Sequence, residues 1–538
     1  VTFWDQVRAA LHEPRWQRRV LGVTAAVVLT LNVAALPIYP PPTCDEVLNV
    51  SNADSLLRRG TFGLTALPDG DPFYRDENMV HMGRTVATLQ AGFYAIVGVS
   101  RMTARVFALL GWIAATGVTY MLASRLYGRE IGLGSAAIFA TSIKAFLTGH
   151  TARPDIWFTA VTMLALIGLW RLVVRPHGFG LAVAMGALGV LPFDFHGYGV
   201  AFLAGFCLVV FVELGLRERN WLSVFGYALG VVAGIGLWLA AHLLPDPAHA
   251  WYQLTTGYRL LGNLPLASSP LANLGQMLDW LGDVFWTAGG VLAVVEGALA
   301  VAGIGFAIRR RTQADRVMLI VLGVSLAVFG VLMTQRFVQY SVFWAPLYLT
   351  LGAAALHDWL TSKPEPEGDT RRLSGRERYA LLCGVMVVGN LIGGVWLMAQ
   401  FGDGDFRGME AALREAVPEG TRVVADSPWW WALRADHTFL DTDYVLAAAA
   451  ASRAETAGGA GEGAAVEDAL DHLNPDYIVL DDALGCRAEA GVAEAAAERY
   501  AESTCELTTI IVGSWFGDVE KQPYQMGQQL QVYACPGG

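Results

Sequence analysis

The sequence predicts a multi-pass α-helical membrane protein with a soluble α/β domain at its C-terminal end. Three observations carry that prediction. The 538 residues are 54% hydrophobic and 16% charged, with a mean hydropathy of +0.42, whereas soluble domains carry about 25% charged residues. Apolar runs long enough to cross a bilayer recur from residue 20 to residue 400. Charge is split along the chain: 401–538 holds 24 acidic against 8 basic residues, a net of −16, and 1–400 holds 24 against 29, a net of +5. An acidic soluble tail on a mildly basic membrane body fits that split and gives no footing for nucleic acid.

Residues 1–19 are amphipathic and end in the basic cluster Arg15, Arg18 and Arg19. The apolar run 20–38 reads as an uncleaved anchor rather than a removed signal peptide. A long loop at 39–85 follows, and 86–99 is short for a span and suits the membrane interface. Ten more spans are expected at about 104–126, 131–147, 156–170, 180–195, 199–214, 222–244, 285–308, 316–333, 340–356 and 379–400. The total is about eleven transmembrane helices within a membrane domain of residues 1–400.

The basic residues test this topology. Arg125 and Arg129, Arg171 and Arg175, Arg217 and Arg219, Arg309 to Arg311, and Arg371 to Arg378 all fall on the side of Arg15 to Arg19. That side is cytoplasmic by the positive-inside rule, which puts the N-terminus inside and the C-terminal domain outside. If 86–99 also spanned, every later cluster would change sides. Loop 39–85, His150 to Asp155, Asp194 to His196, loop 245–283, Arg336 and the tail then share the outer face. Gly226, Gly230 and Gly234 recur every four residues, which predicts close helix packing.

In the tail, 401–538, the segments TRVVAD, DYIVLDD, CELTTIIVG and QLQVYAC read as strands. Residues 466–473 and the segment AEAGVAEAAAERYA read as helices, and the Ala/Gly-rich stretch 448–465 as a loop. Trp429, Trp430 and Trp431 are expected to pack on the membrane domain or the interface. Cys486, Cys505 and Cys535 lie in the tail and Cys44 in the opening loop; one tail disulfide is plausible in an oxidising compartment, with the pairing open.

Chemistry concentrates at the outer ends of the spans. Asp45 and Glu46 open the first loop, and Asp155 ends the run His150-Thr151-Ala152-Arg153-Pro154-Asp155. Carboxylates at a membrane boundary are costly to desolvate, so they need a partner or a task. These acids could act as a general base or ligate a divalent cation, with Asp45 and Asp155 as the ligands if a metal is used. The bland alternative is helix caps and loop salt bridges. His150 and His196 have no compact zinc spacing and read as polar contacts at helix ends. Asp194 is a candidate for lining the same cavity.

An anchor, an outer loop opening with Asp-Glu, then GVSRMTARVFALL, YMLASRLYGREIGLGSAAIFATS and GHTARPD resemble the GT-C type membrane glycosyltransferases. The similarity is to protein O-mannosyltransferases and aminoarabinose transferases. It covers residues 20–160 well, and RFVQYSVFWAPLYLTLGAA, which holds Arg336 and Tyr340, is the best match beyond. The resemblance implies transfer of a sugar from a polyprenyl-phosphate carrier to an acceptor at the outer face of the cell membrane. It would make Asp45 the catalytic base, Glu46 its assistant and Asp155 the second acid. Arg84, His81, Arg153, Arg336 and Tyr340 would bind the substrate and its phosphate, since guanidinium forks suit phosphate oxygens. Related oligosaccharyltransferases hold a metal near this place, and the mannosyltransferases do not require one.

One departure stands out. His81 and Arg84 fall in HMGR, where the family has a Pro-Pro motif. The alternative reading is a catalytically inactive GT-C-like subunit that binds partner proteins in a membrane complex. A secondary transporter would show internal repeats and midplane charges, and this sequence shows neither.

Overall fold

The computed structural model describes residues 14–40, 42–66, 83–175, 178–253, 270–287, 290–332, 336–362, 373–401, 406–442, 462–481, 491–513 and 529–536. The membrane part is a helical bundle. Its helices are α1 (Pro14–Ala35), α2 (Cys44–Arg59), α3 (Arg84–Val97), α4 (Arg101–Tyr127), α5 (Arg129–Thr141), α6 (Ile143–Gly149), α7 (Asp155–Val174) and α8 (Phe179–Phe195). They continue as α9 (Gly199–Arg217), α10 (Trp221–His242), α11 (Pro247–Tyr252), α12 (Pro270–Gly282), α13 (Gly290–Arg310), α14 (Gln313–Leu332), α15 (Ala345–Thr361) and α16 (Gly375–Phe401). Among the described residues seven helices are long and apolar enough to cross a membrane, or eight when α5 and α6, bent by 60°, count as one span. The shorter apolar helices Gly22–Ala35 and Phe179–Phe195, with the largely buried α15, take the remaining predicted span positions.

Lipid tails are as apolar as leucine, so helices associate in a bilayer by close packing rather than by escape from water. The α8–α10 pair shows this. A Cβ on Gly230 would lie 2.0 Å from the Val183 carbonyl oxygen, and one on Gly186 would lie 2.1 Å from that of Tyr227. The glycine stripe in α10 is therefore a packing surface. Polar side chains staple the bundle at the end away from the tail: Arg316 Nε donates to Glu213 Oε1 at 2.8 Å, and Tyr127 OH to Asp315 at 2.9 Å.

Two predicted loops contain helices. The 39–85 loop opens with α2, a 16-residue helix whose polar sequence hides its period. Thr43 caps it by accepting from the Glu46 N–H at 3.2 Å, and Gly60 closes it at φ +74°. Asp45 and Glu46 occupy its first turn and Arg58 and Arg59 its last, complementing the helix dipole. The 245–283 loop likewise holds α11 and α12. The segment 86–99 is largely α3, only 14 residues long.

The tail begins with α17 (Phe406–Ala416) and has a five-stranded sheet of β1 (Arg422–Ala425), β2 (Thr438–Asp441), β3 (Tyr477–Asp481), β4 (Glu506–Val512) and β5 (Gln529–Ala534). The strand order is β2-β1-β3-β5-β4, with β1 parallel to β2 and β3, and β5 antiparallel to β3 and β4. The short β2 has no counterpart among the predicted strands. Cys505 pairs with Cys535, and Cys44 is also disulfide-bonded. Cys486 and most of the predicted 448–465 loop lie outside the described residues. Trp429, Trp430 and Trp431 are buried in one cluster with Val47, Val50 and Ala53 of α2. The tail thus packs on the helix that carries Asp45.

Candidate active site

Neighbouring residues on a helix point about 100° apart, and the first turn of α2 uses that difference. Glu46 turns inward and is fully buried. Arg105 of α4, 1% exposed, meets it with Nε on Oε1 at 3.0 Å and Nη2 on Oε2 at 3.2 Å. The same guanidinium donates to the carbonyls of Leu36 at 2.9 Å and Pro40 at 2.7 Å. The Ala152 N–H adds a bond to Glu46 Oε1 at 3.3 Å. Glu46 is thereby the knot tying the end of α1, the start of α2, α4 and the turn before α7. Arg105 was not singled out from the sequence, although an arginine inside an apolar span is a signal in itself.

Asp45 points the other way, with its side chain 45% exposed. Its Oδ2 accepts from Nη1 of Arg153, a side chain only 5% exposed. Arg153 Nε donates to Asp155 Oδ2 at 2.6 Å, and Nη2 reaches the Tyr340 hydroxyl at 3.4 Å. The guanidinium carbon also lies 5.6 Å from the Tyr340 ring centroid. Asp155, in the first turn of α7, is 1% exposed. One buried guanidinium therefore joins Asp45, Asp155 and Tyr340, which the sequence separates by more than a hundred residues.

An aromatic wall completes this end of the bundle. His196 lies 4.5 Å from Tyr198, 5.3 Å from Phe343 and 5.6 Å from Tyr340, centroid to centroid. Its Nε2 is 3.6 Å from Asp155 Oδ1. Burial pushes the His196 imidazole down to about 4, against the pull of the Asp155 carboxylate, so the ring is neutral at physiological pH. The contact with Asp155 is consequently not an ion pair.

The other sequence candidates sit elsewhere. Arg84 opens α3 with its guanidinium 4.6 Å from the Phe62 ring centroid and feels the Asp194 charge, and burial lowers its pKa. Asp194 accepts from the Thr85 N–H at 2.9 Å and meets His242 Nε2 at 2.7 Å. A Cβ on Gly83 would stand 1.7 Å from the Asp194 carbonyl oxygen, so the glycine of the HMGR segment is a packing requirement. His81 lies outside the described residues. Arg336 donates to Gln276 at 3.0 Å and to the Gly330 carbonyl at 2.9 Å. No described contact joins Arg84 or Arg336 to Arg153. Both ring nitrogens of His150 face carbonyl oxygens, those of Phe146 and Asn32.

The Arg153 guanidinium stands between Asp45 and Asp155 and pairs with both. Among the described residues no group of three or more His, Cys, Asp or Glu side chains could hold a metal ion.

No family model matches this sequence, and no curated protein does. Solved structures match in fold. ArnT from Cupriavidus metallidurans bound to undecaprenyl phosphate aligns at TM-score 0.64 and 13% identity, over 96% of this chain and 97% of that one. Apo ArnT from the same organism aligns at 0.64 and 12%, over 96% and 98%. The apo Archaeoglobus fulgidus oligosaccharyltransferase aligns at 0.53 and 14%, over 87% of this chain and 70% of that one. The chain has the GT-C fold of the membrane glycosyltransferases.

Proposed function

We propose that this protein is a glycosyltransferase that moves a sugar from a polyprenyl-phosphate carrier to an acceptor at the outer face of the membrane. The observation that carries the reading is the Asp45–Arg153–Asp155 linkage, a half-exposed carboxylate held by a buried cation at one end of the bundle. A fold shared with an undecaprenyl-phosphate-bound ArnT supports it. The basic clusters favour a cytoplasmic N-terminus and an extracytoplasmic tail.

A carboxylate paired with arginine is a weaker base than a free one. The carrier resolves this conflict. Its phosphate competes for the Arg153 fork, and Asp45, released from the pair, takes the proton of the acceptor O–H or N–H. The acceptor atom then attacks the sugar C1 as the C1–O bond to phosphate breaks, and the bonding pair leaves on the polyprenyl phosphate. Configuration at C1 inverts. Arg153 neutralises the charge that develops on the leaving group, Asp155 anchors Arg153, and Tyr340 steadies its far nitrogen. Glu46 holds the helix that presents Asp45 and needs no direct part in the chemistry.

The test is transfer of label from a panel of radiolabelled undecaprenyl-phosphate sugars by the full chain in liposomes. Loss of a general base typically costs about 10²- to 10⁴-fold, and Asp45→Asn is expected to fall in that range. Full activity in Asp45→Asn would remove the base assignment. Absence of both transfer and undecaprenyl-phosphate binding in the unaltered chain would remove the function itself.

A further inference from the structure

Asp155 uses only half of its carboxylate. Oδ2 accepts from Arg153 Nε at 2.6 Å, whereas Oδ1 is buried with no hydrogen-bond partner among the described residues. An orphaned carboxylate oxygen in a low-dielectric site is costly, so a donor aimed at it is informative. The group facing it is His196 Nε2, at 3.6 Å.

The state of that imidazole follows from its other nitrogen. The Tyr198 backbone N–H donates to His196 Nδ1 at 3.3 Å, so Nδ1 carries the lone pair. In a neutral ring the proton must then sit on Nε2, the nitrogen facing Asp155. The ring has little freedom to turn away, being flanked by Phe158 at 5.7 Å, Tyr198 at 4.5 Å and Phe343 at 5.3 Å. The charged and titratable groups around it are Asp155, Arg153, Tyr198 and Tyr340.

We propose that His196 is a positioning residue for the reaction, a neutral imidazole whose Nε2–H is directed at the free oxygen of Asp155. The 3.6 Å separation is longer than a hydrogen bond, and contacts of this kind often tighten only in the substrate complex. Closing it fixes the Asp155 carboxylate plane. That plane sets the Arg153 fork, and the fork sets both Asp45 and the phosphate. The chain of control runs His196, Asp155, Arg153, Asp45, and no proton leaves His196 during turnover. This kinetic role rests on the transferase reading, and the tautomer and its Asp155 contact do not.

The experiment has two arms on the full chain. In the first, ¹⁵N-histidine-labelled protein in nanodiscs is compared with His196→Phe, which identifies one signal among 10 histidines. That signal should report a neutral ring protonated at Nε2 at pH 7, and it should shift in Asp155→Asn. A ring protonated at Nδ1, or a signal unmoved by Asp155→Asn, overturns the proposal whether or not the protein transfers sugar. In the second arm, transfer from labelled undecaprenyl-phosphate sugar should show kcat of His196→Phe reduced about 10- to 100-fold, with the carrier KM within about twofold, as small misplacements cost. His196→Gln, whose amide N–H can face the same oxygen, should recover most of the loss. A His196→Phe enzyme with unaltered kcat, or a Gln variant as slow as Phe, sinks the positioning role. Failure of every variant together with the unaltered chain indicts the transferase reading and leaves the first arm to decide this one.

Discussion

At the residue scale, the behaviour of the site turns on the shape of one guanidinium. Arg153 contacts Asp45, Asp155 and Tyr340 through three different nitrogens, which a lysine ammonium on a flexible stem cannot reproduce. Arg153→Lys keeps the charge and loses the fork. Its expected signature is a kcat lowered about tenfold or more, with weaker carrier binding, read in the liposome transfer assay. Carrier binding and turnover equal to the unaltered chain would show that the fork is dispensable. A pH effect follows from His196. Its imidazole is neutral in the fold down to about 4, against an ordinary value of about 6.5. Below pH 6.5 the unfolded chain takes a proton that the folded chain refuses, so the stability contribution is complete above 6.5 and is lost as pH falls towards 4. Thermal unfolding midpoints should drop across that window, and His196→Gln should flatten the drop; an unchanged slope would contradict the buried neutral ring.

At the element scale, α2 decides whether Asp45 is where it must be. The Glu46–Arg105 knot lies inside the protein, where an ion pair adds little net stability but an abandoned partner is expensive. Glu46→Gln should therefore destabilise by roughly 3–5 kcal/mol, and combining Glu46→Leu with Arg105→Met should recover much of it. Additive losses in the double variant, measured as unfolding midpoints, would show that the two side chains act independently. The same helix marks the limit of what could be read from the sequence. Apolar runs announce spans because a bilayer demands about twenty apolar residues each, and the helices of the bundle fall where those runs lie. Helix α2 has mixed polar residues buried against two different surfaces, so its period is invisible, and 39–85 reads as a loop. Strand β2, four residues beside His437, is likewise too short to show alternation. Asp45, Asp155, Arg153 and Tyr340 could each be named from the sequence, alongside Glu46, His81, Arg84 and Arg336, because each sits beside a span end or in a matching motif, but their grouping around one guanidinium could not. Tyr198 and the approach of His196 to Asp155 needed three-dimensional packing to be seen, whereas Arg105 carries its signal in the sequence as an arginine inside an apolar span.

At the scale of the whole molecule, the helix carrying Asp45 is held between two bodies. On one side Arg105 ties it to the membrane bundle. On the other, Arg434 of the tail reaches the Val99 carbonyl at 2.5 Å and Asp54 Oδ1 at 3.5 Å, with its guanidinium 5.1 Å from the Trp430 ring centroid. Asp54 is 1% exposed and also pairs with Arg58 at 2.9 Å, so the contact lies inside the interface rather than on its rim. A second bond between the bodies sits nearby, where Arg101 of α4 meets Glu410 of the tail at 3.6 Å and covers the Phe406 ring at 4.5 Å. Burial raises the Glu410 pKa, against the pull of that arginine. Trp429, Trp430 and Trp431 fill the space between these anchors. The tail is thus fixed to α2, and its docking bears on where Asp45 stands. Arg434→Ala removes the fork while leaving every residue around Arg153 intact. Amide hydrogens of α2 from Val47 to Leu56 should then exchange roughly tenfold faster or more, and transfer should slow in proportion to the lost order. Since α8 to α10 carry none of these contacts, their exchange should stay as it was. Uniform acceleration throughout the bundle would mean general unfolding instead, and unchanged exchange in α2 would mean that the tail merely rests on the helix.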